Sequence, residues 1–134
     1  MHRILFKQRS FTLMELLVVV TITGIIAAFA IPSYQKSVDK SYARQAILDL
    51  ILISGAEEVY KARYGQYWPS DTTTKSIAFI NQDLQLNLVA NGQVLYQCQN
   101  AYECIAFHVW EPYWVYSIVP GVNPTCTGGT PCPL

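Results

Sequence analysis

KQRSFTLMELLVVVTITGIIAAFAIP, residues Lys7 to Pro32, is the stretch around which the rest of the chain is organised. A short basic head (Arg3, Lys7, Arg9) runs into a long apolar segment that contains a single carboxylate, Glu15. As a straight helix, residues 11–31 would extend about 32 Å at roughly 1.5 Å per residue, enough to cross a hydrocarbon core of about 30 Å. A lone acid in such a segment costs on the order of 2.5–3.5 kcal/mol near the membrane centre and less near its surface. That cost has to be recovered by a specific partner.

Composition bounds the remainder. In 134 residues, 51% of them hydrophobic, there is room for one small domain plus an appendage. Nine basic residues balance nine acidic ones, but three of the bases lie in the first ten residues and every acid lies after them. Without that head, six bases face nine acids, a formal net charge of −3. Beyond Lys75 there is no Lys or Arg, only Asp83, Glu103 and Glu111. Such a half cannot displace counterions from a nucleic acid, so direct nucleic-acid binding is not expected. Four cysteines, all after residue 97, point to an oxidising compartment.

Residues 1–31 share the basic head and the small residues (Ala27, Ala28, Ala30) of a secretory signal. The apolar run is too long for an ordinary signal core, however, and the helical pattern continues some thirty residues past it. A single-pass anchor with its basic head inside fits the positive-inside rule but gives Glu15 no role. Ser10-Phe11-Thr12-Leu13-Met14-Glu15 followed by LLVVVTITGIIAAFAIP closely resembles the prepilin signature of type IV pilins and related pseudopilins. The resemblance implies a leader, residues 1–10, cut by a membrane prepilin peptidase between Ser10 and Phe11. It further implies N-methylation of Phe11 and a requirement for Glu15 in filament assembly. Gly24 and Pro32 stand where the family has its helix breakers. The residue before the cut is usually Gly in the family and is Ser10 here. Cleavage would leave an α-amine one helical turn from Glu15, and an ammonium on the same or a neighbouring subunit would offset much of the cost of the buried carboxylate.

From Ser33 to Tyr64 the pattern is amphipathic: Ala43, Ile47, Leu50, Ile53, Ser54 and Glu57 share one helical face, extended by Tyr60 and Tyr64. The run ILDLILI, residues 47–53, is more apolar than one face needs and predicts cover on two sides, from its own domain and from neighbouring subunits. Gly65 reads as the residue that ends the helix. AEEVYKARYGQYWP also resembles the end of the pilin helix, with Trp68 placed before Pro69. Residues 65–92 predict a loop, variable in the family, with one or two short elements. Ser70 to Thr74 is turn-like, and the alternation of Asp83 to Leu88 suggests a short strand. Gln93–Cys98, Cys104–Trp110 and Tyr113–Val119 are β-branched and aromatic, which predicts three antiparallel strands, with Ile105, Phe107 and Val109 toward the helix.

Cys98 and Cys104, and then Cys126 and Cys132, are each separated by five residues. Neither spacing suits a zinc knuckle, so no metal is expected and disulfides are. Local pairing would close the first hairpin and pin the tail at 120–134, which is otherwise expected to lack regular structure; a crossed pairing would tie the tail to the sheet. His108, the one histidine beyond the leader, lies mid-strand with no nucleophile pattern near it, and no enzymatic activity or cofactor is expected.

Taken together, the expected fold is α+β: a cleaved leader (1–10), a transmembrane and assembly helix (11–32), and a periplasmic head (33–134). The head would hold an amphipathic helix (33–64), the loop, a small antiparallel sheet of three or four strands (93–119) and a disulfide-bonded C-terminal region. The expected function is that of a structural subunit of a type IV pilus or similar filament. A type II secretion pseudopilin, or a minor pilin of a DNA-uptake or adhesion pilus, is the alternative. The partners implied are other pilin subunits, the prepilin peptidase, the inner membrane and the pilus assembly machinery. The location implied is the inner membrane for the precursor, N-terminus in the cytoplasm, and then a periplasmic or extracellular filament.

Overall fold

Helix α1 spans Leu13–Tyr64, 52 residues without a break. The computed structural model describes residues 11–69, 73–99, 102–129 and 132–133; the leader, Ser10 included, and the residues Ser70 to Thr72 of the predicted turn lie outside this set. The chain divides into two compact units, Met1–Lys36 and Ser37–Leu134, and α1 contributes to both. It passes through Gly24 and Pro32 as continuous helix, although Pro32 removes one N–H from the ladder. At its end, Gly65 takes φ +78° and its N–H donates to the Lys61 carbonyl at 2.8 Å. That left-handed residue satisfies an otherwise open carbonyl of the last turn and stops the helix.

In the second unit, α1 buries Ala43, Ala46, Asp49, Leu50, Ile53 and Glu57. Spacings of three and four place these side chains on one stripe, and the two alanines let the helix backbone lie close to what it packs on. Leu48, Ile51 and Leu52 of the ILDLILI run remain exposed.

Opposite the helix stands one sheet of five strands, β1 Lys75–Ser76, β2 Val94–Gln99, β3 Glu103–His108, β4 Trp114–Ile118 and β5 Thr125–Gly129, in chain order. All neighbours are antiparallel. Val94, Tyr96 and Cys98 of β2, Cys104 and Ala106 of β3, and Trp114, Tyr116 and Ile118 of β4 join Leu50 and Ile53 in a single core. Trp68, Ile80, Leu84 and Leu88 close its end, and the Trp68 indole N–H donates to Asp83 Oδ2 at 2.9 Å.

Three expectations are corrected. The sheet has five strands rather than three or four, because the tail forms β5 and Lys75–Ser76 adds a short edge. A Cβ on Gly129 would stand 1.9 Å from the Tyr113 carbonyl oxygen, so glycine is what allows β5 to approach β4; its poor strand propensity hid the strand.

The stretch Asp83 to Leu88 is not a strand. A short helix, α2 Ile77–Asp83, runs into it, Gln85 takes φ +55°, and the Asn81 side-chain amide holds Leu88 at both ends, its Nδ2 donating to the Leu88 carbonyl at 2.8 Å and its Oδ1 accepting from the Leu88 N–H at 2.9 Å. Leu84 and Leu88 reach the core through this turn rather than through extended backbone.

The faces of β3 are the reverse of those expected. Cys104, Ala106 and His108 are buried, while Ile105 and Phe107 are half-buried. The register pairs Tyr96 with Ala106 and Ala106 with Tyr116, so the small alanine sits between two large rings and leaves them room.

Candidate functional site: the N-terminal helix and a buried carboxyl

The apolar segment begins with a reciprocal cap. Thr12 stands just ahead of α1 and Glu15 is its third residue. Glu15 Oε2 accepts from the Thr12 backbone N–H and from its hydroxyl, both at 3.0 Å, while the Glu15 N–H donates to Thr12 Oγ1 at 3.2 Å. This capping box satisfies donors that the first turn of a helix leaves open and places an acid where the helix dipole favours it. The carboxylate is therefore not bare even within a single chain.

Beyond the cap, the large apolar side chains of residues 11–31 are exposed, from Phe11 at 81% to Ile31 at 57%. The polar groups inside the run are satisfied locally: the Thr21 hydroxyl donates to the Val18 carbonyl at 2.9 Å and that of Thr23 to Val19 at 2.8 Å. Such back-bonding lets threonine enter hydrocarbon without an unpaired hydroxyl. Among the described residues, α1 is the helix long and apolar enough to cross a membrane, and none of its most apolar window is buried within the chain. In water an apolar surface of that extent would demand cover, of the kind that lipid or other helices provide.

A second cluster lies in the head. Glu57 is 1% exposed, and its Oε1 lies 3.1 Å from Cys104 Sγ. Cys104 is bonded to Cys98, and Cys126 to Cys132. A disulfide sulfur carries no proton, so the hydrogen in the Glu57 contact belongs to the carboxyl group. Burial pushes that carboxyl up to about 8, with repulsion from Glu58 adding to the effect. Glu57, Cys98 and Cys104 bring three donor atoms within 4.8 Å of one another, but the two sulfurs are committed to each other and hold no metal in this form.

Nearby, the buried Tyr96 hydroxyl donates to Asp49 Oδ2, and Gln45 Nε2 donates to Asp49 Oδ1 at 2.9 Å. Burial first, and then the Asp49 carboxylate, raise the Tyr96 phenol far above its ordinary range. His108 is 5% exposed, lies parallel to Trp114 at 5.2 Å between ring centres, and is 5.9 Å from Tyr42. Its Nδ1 meets two carbonyl oxygens, Trp110 at 2.7 Å and Pro112 at 3.1 Å, so Nδ1 carries the proton. The ring fixes the turn between β3 and β4.

Of the residues singled out from the sequence, Phe11 lies just ahead of α1, Glu15 in its first turn, Gly24 and Pro32 further along the same exposed part of the helix, and the four cysteines in the head. The Thr12–Glu15 cap had a readable signal in T-L-M-E, the pattern of a capping box. Glu57 had a weaker one, an acid on an otherwise apolar helical face.

Residues 5–31 match the family model described as the prokaryotic N-terminal methylation motif. Together with the long capped helix and the small antiparallel sheet, this supports the likeness of the chain to type IV pilins and pseudopilins.

Its relatives fall into the same two groups. It is 33% identical over 87 residues to the type IV major pilin protein PilE1 of Neisseria gonorrhoeae, which covers 65% of this chain and 52% of that one. It is 38% identical over 71 residues to a fimbrial protein of Neisseria meningitidis serogroup A, covering 53% and 41%. It is also 33% identical over 61 residues to the type II secretion system core protein G of Klebsiella pneumoniae, covering 46% and 44%. The chain thus spans about half the length, or less, of each of these relatives. No solved structure matches it.

Proposed function

We propose that this chain is a structural subunit of a type IV pilus or a closely similar filament. In this reading prepilin peptidase cuts between Ser10 and Phe11, Phe11 is N-methylated, and subunits leave the inner membrane by packing their N-terminal helices together. The observation that carries it is an exposed apolar segment, residues 11–31, whose single acid, Glu15, sits one turn from the proposed new terminus. Before cleavage Thr12 holds the carboxylate; afterwards the α-amine of the same or a neighbouring subunit is a charged partner that Thr12 is not. Only the correct axial offset then neutralises both charges, so Glu15 sets the register of packing. Within the head, the exposed Leu48, Ile51 and Leu52 give neighbouring subunits a second place to pack. The periplasmic head, the leader and the assembly machinery as partner belong to this proposal.

A pseudopilin of a type II secretion system is the second reading, favoured by the likeness to protein G of Klebsiella pneumoniae and other bacteria. Both readings share cleavage and helix-driven assembly. The test is Glu15→Ala expressed in the source cells: the variant is expected at normal level in the membrane and absent from filaments. Incorporation at the unaltered level would refute the role given to Glu15.

A further inference from the structure

The cluster at Glu57 has no part in cleavage or assembly, yet it places a protonatable group against a redox-active one. Glu57 Oε1 is 3.1 Å from Cys104 Sγ, and Glu57, Cys98 and Cys104 are all buried to within 1% of full cover. We propose that Glu57 is the proton acceptor through which the Cys98–Cys104 bond closes, and the proton donor when it is reduced.

Closure begins from a mixed disulfide between Cys98 and a disulfide donor, either a small molecule or an oxidoreductase. The Cys104 thiol gives its proton to the Glu57 carboxylate. The resulting thiolate attacks Cys98 Sγ, a Cys98–Cys104 bond forms, and the bond to the donor breaks with its electron pair leaving on the donor sulfur. That thiolate is protonated by solvent. The cysteine pair is oxidised by two electrons, the donor is reduced by two, and one proton remains on Glu57.

Several features support this sequence. While Cys104 is a thiol, its S–H offers a hydrogen bond that favours the Glu57 carboxylate; once the disulfide forms, that donor is lost and the carboxyl keeps the proton. The resting site agrees, since burial favours the neutral acid there. The charged neighbour that acts on Glu57 is Glu58 on its own helix, which disfavours ionisation further; from β2 and β3 it meets the two sulfurs, and no cation among the described residues opposes these effects. Access is also provided for. Cys98 and Cys104 are opposite each other near the turn end of the β2–β3 hairpin, with the pair Gln99 and Glu103 beyond them in the ladder. Fraying of that end exposes Cys98 to the donor while Cys104 still faces α1.

The experiment uses the full reduced chain in detergent with saturating oxidised glutathione, so that mixed disulfide accumulates and its decay reports the intramolecular step. Acid quenching and mass spectrometry follow Cys98–Cys104 and Cys126–Cys132 separately. At pH 6.5, Glu57→Gln is expected to close the first bridge at least about tenfold more slowly than the unaltered chain, in the range of a lost general base. The gap should shrink toward pH 9, where a thiol of ordinary pKa, about 8.5, ionises unaided. Closure of Cys126–Cys132 should be unchanged. Equal rates in both proteins, or a deficit of the same factor at every pH, would overturn the proposal. Should the variant fail to fold, the unaltered chain still decides. Between pH 8 and 6 its Cys98–Cys104 rate should fall less steeply than that of Cys126–Cys132, which drops about tenfold per unit with the thiolate fraction. Parallel profiles would refute it.

Discussion

Replacing Glu57 by Gln should stabilise the head, and the size of the effect follows from its burial. The carboxyl titrates near 4.5 when exposed and is pushed up to about 8 in the folded chain. The folded form therefore binds the proton more tightly than the unfolded form. Its contribution is fully present below pH 4.5 and is lost as pH rises toward 8, so stability falls across that window. At about 1.4 kcal/mol per pH unit, the loss amounts to about 3 kcal/mol at pH 7 and about 5 kcal/mol above pH 8. Glutamine has nearly the same shape, never ionises, and carries an amide N–H that can face the disulfide as the carboxyl O–H does. Thermal melts of the full chain in detergent, followed by near-UV circular dichroism at pH 4.5, 7 and 8.5, would read the difference. The variant should match the unaltered protein at pH 4.5 and melt about 10 °C or more above it at pH 7 and 8.5, given about 4–8 °C per kcal/mol for a head of this size. A melting temperature for the unaltered chain that is flat from pH 4.5 to 8.5 would refute the reasoning. So would a Glu57→Gln variant that is less stable at every pH. A gain in stability together with slower bridge closure would separate the proton-transfer role of Glu57 from any structural one.

Two further substitutions test the head. Gly129→Ala should destabilise it by about 1–3 kcal/mol, because the added Cβ meets the Tyr113 carbonyl and φ +98° is strained for alanine; a denaturant midpoint that does not move would contradict the β4–β5 approach. His108→Phe keeps a ring against Trp114 but removes both bonds from Nδ1 to Trp110 and Pro112, at a cost of about 1–3 kcal/mol. Faster amide exchange at the β3–β4 turn, with α1 unaffected, is the expected signature, and uniform loss of protection would count against a local role.

Much of the architecture could be read from local pattern because local physics decides it. A basic head before a long, mostly apolar run, a glycine after the last helical tyrosine, and β-branched runs separated by polar turns each leave a periodic or compositional mark. What escaped depends on partners distant in sequence. Both phases of β3 are apolar, so alternation could not say which one faces α1; the pairing of Ala106 with Tyr96 and Tyr116 decides it. The tail strand contains Gly128 and Gly129, whose value lies in the close approach to Tyr113 rather than in propensity. Leu84 and Leu88 alternate like strand residues, but Asn81, seven residues before Leu88, folds them into a turn. The contact between Glu57 and Cys104 spans 47 residues. Its one local trace was an acid on a buried stripe, where an uncompensated charge is too costly to stand.

The N-terminal segment shows the same division at closer range. T-L-M-E specifies the cap by itself, whereas the charged partner proposed for Glu15, an α-amine freed by cleavage, would exist only once the leader is removed. The most direct measurement is therefore the N-terminal peptide of this protein recovered from sheared surface filaments and analysed by mass spectrometry. A subunit beginning at N-methylated Phe11 is the expected result. Filaments lacking the chain, or containing it with residues 1–10 still attached, would contradict its assignment as a processed filament subunit.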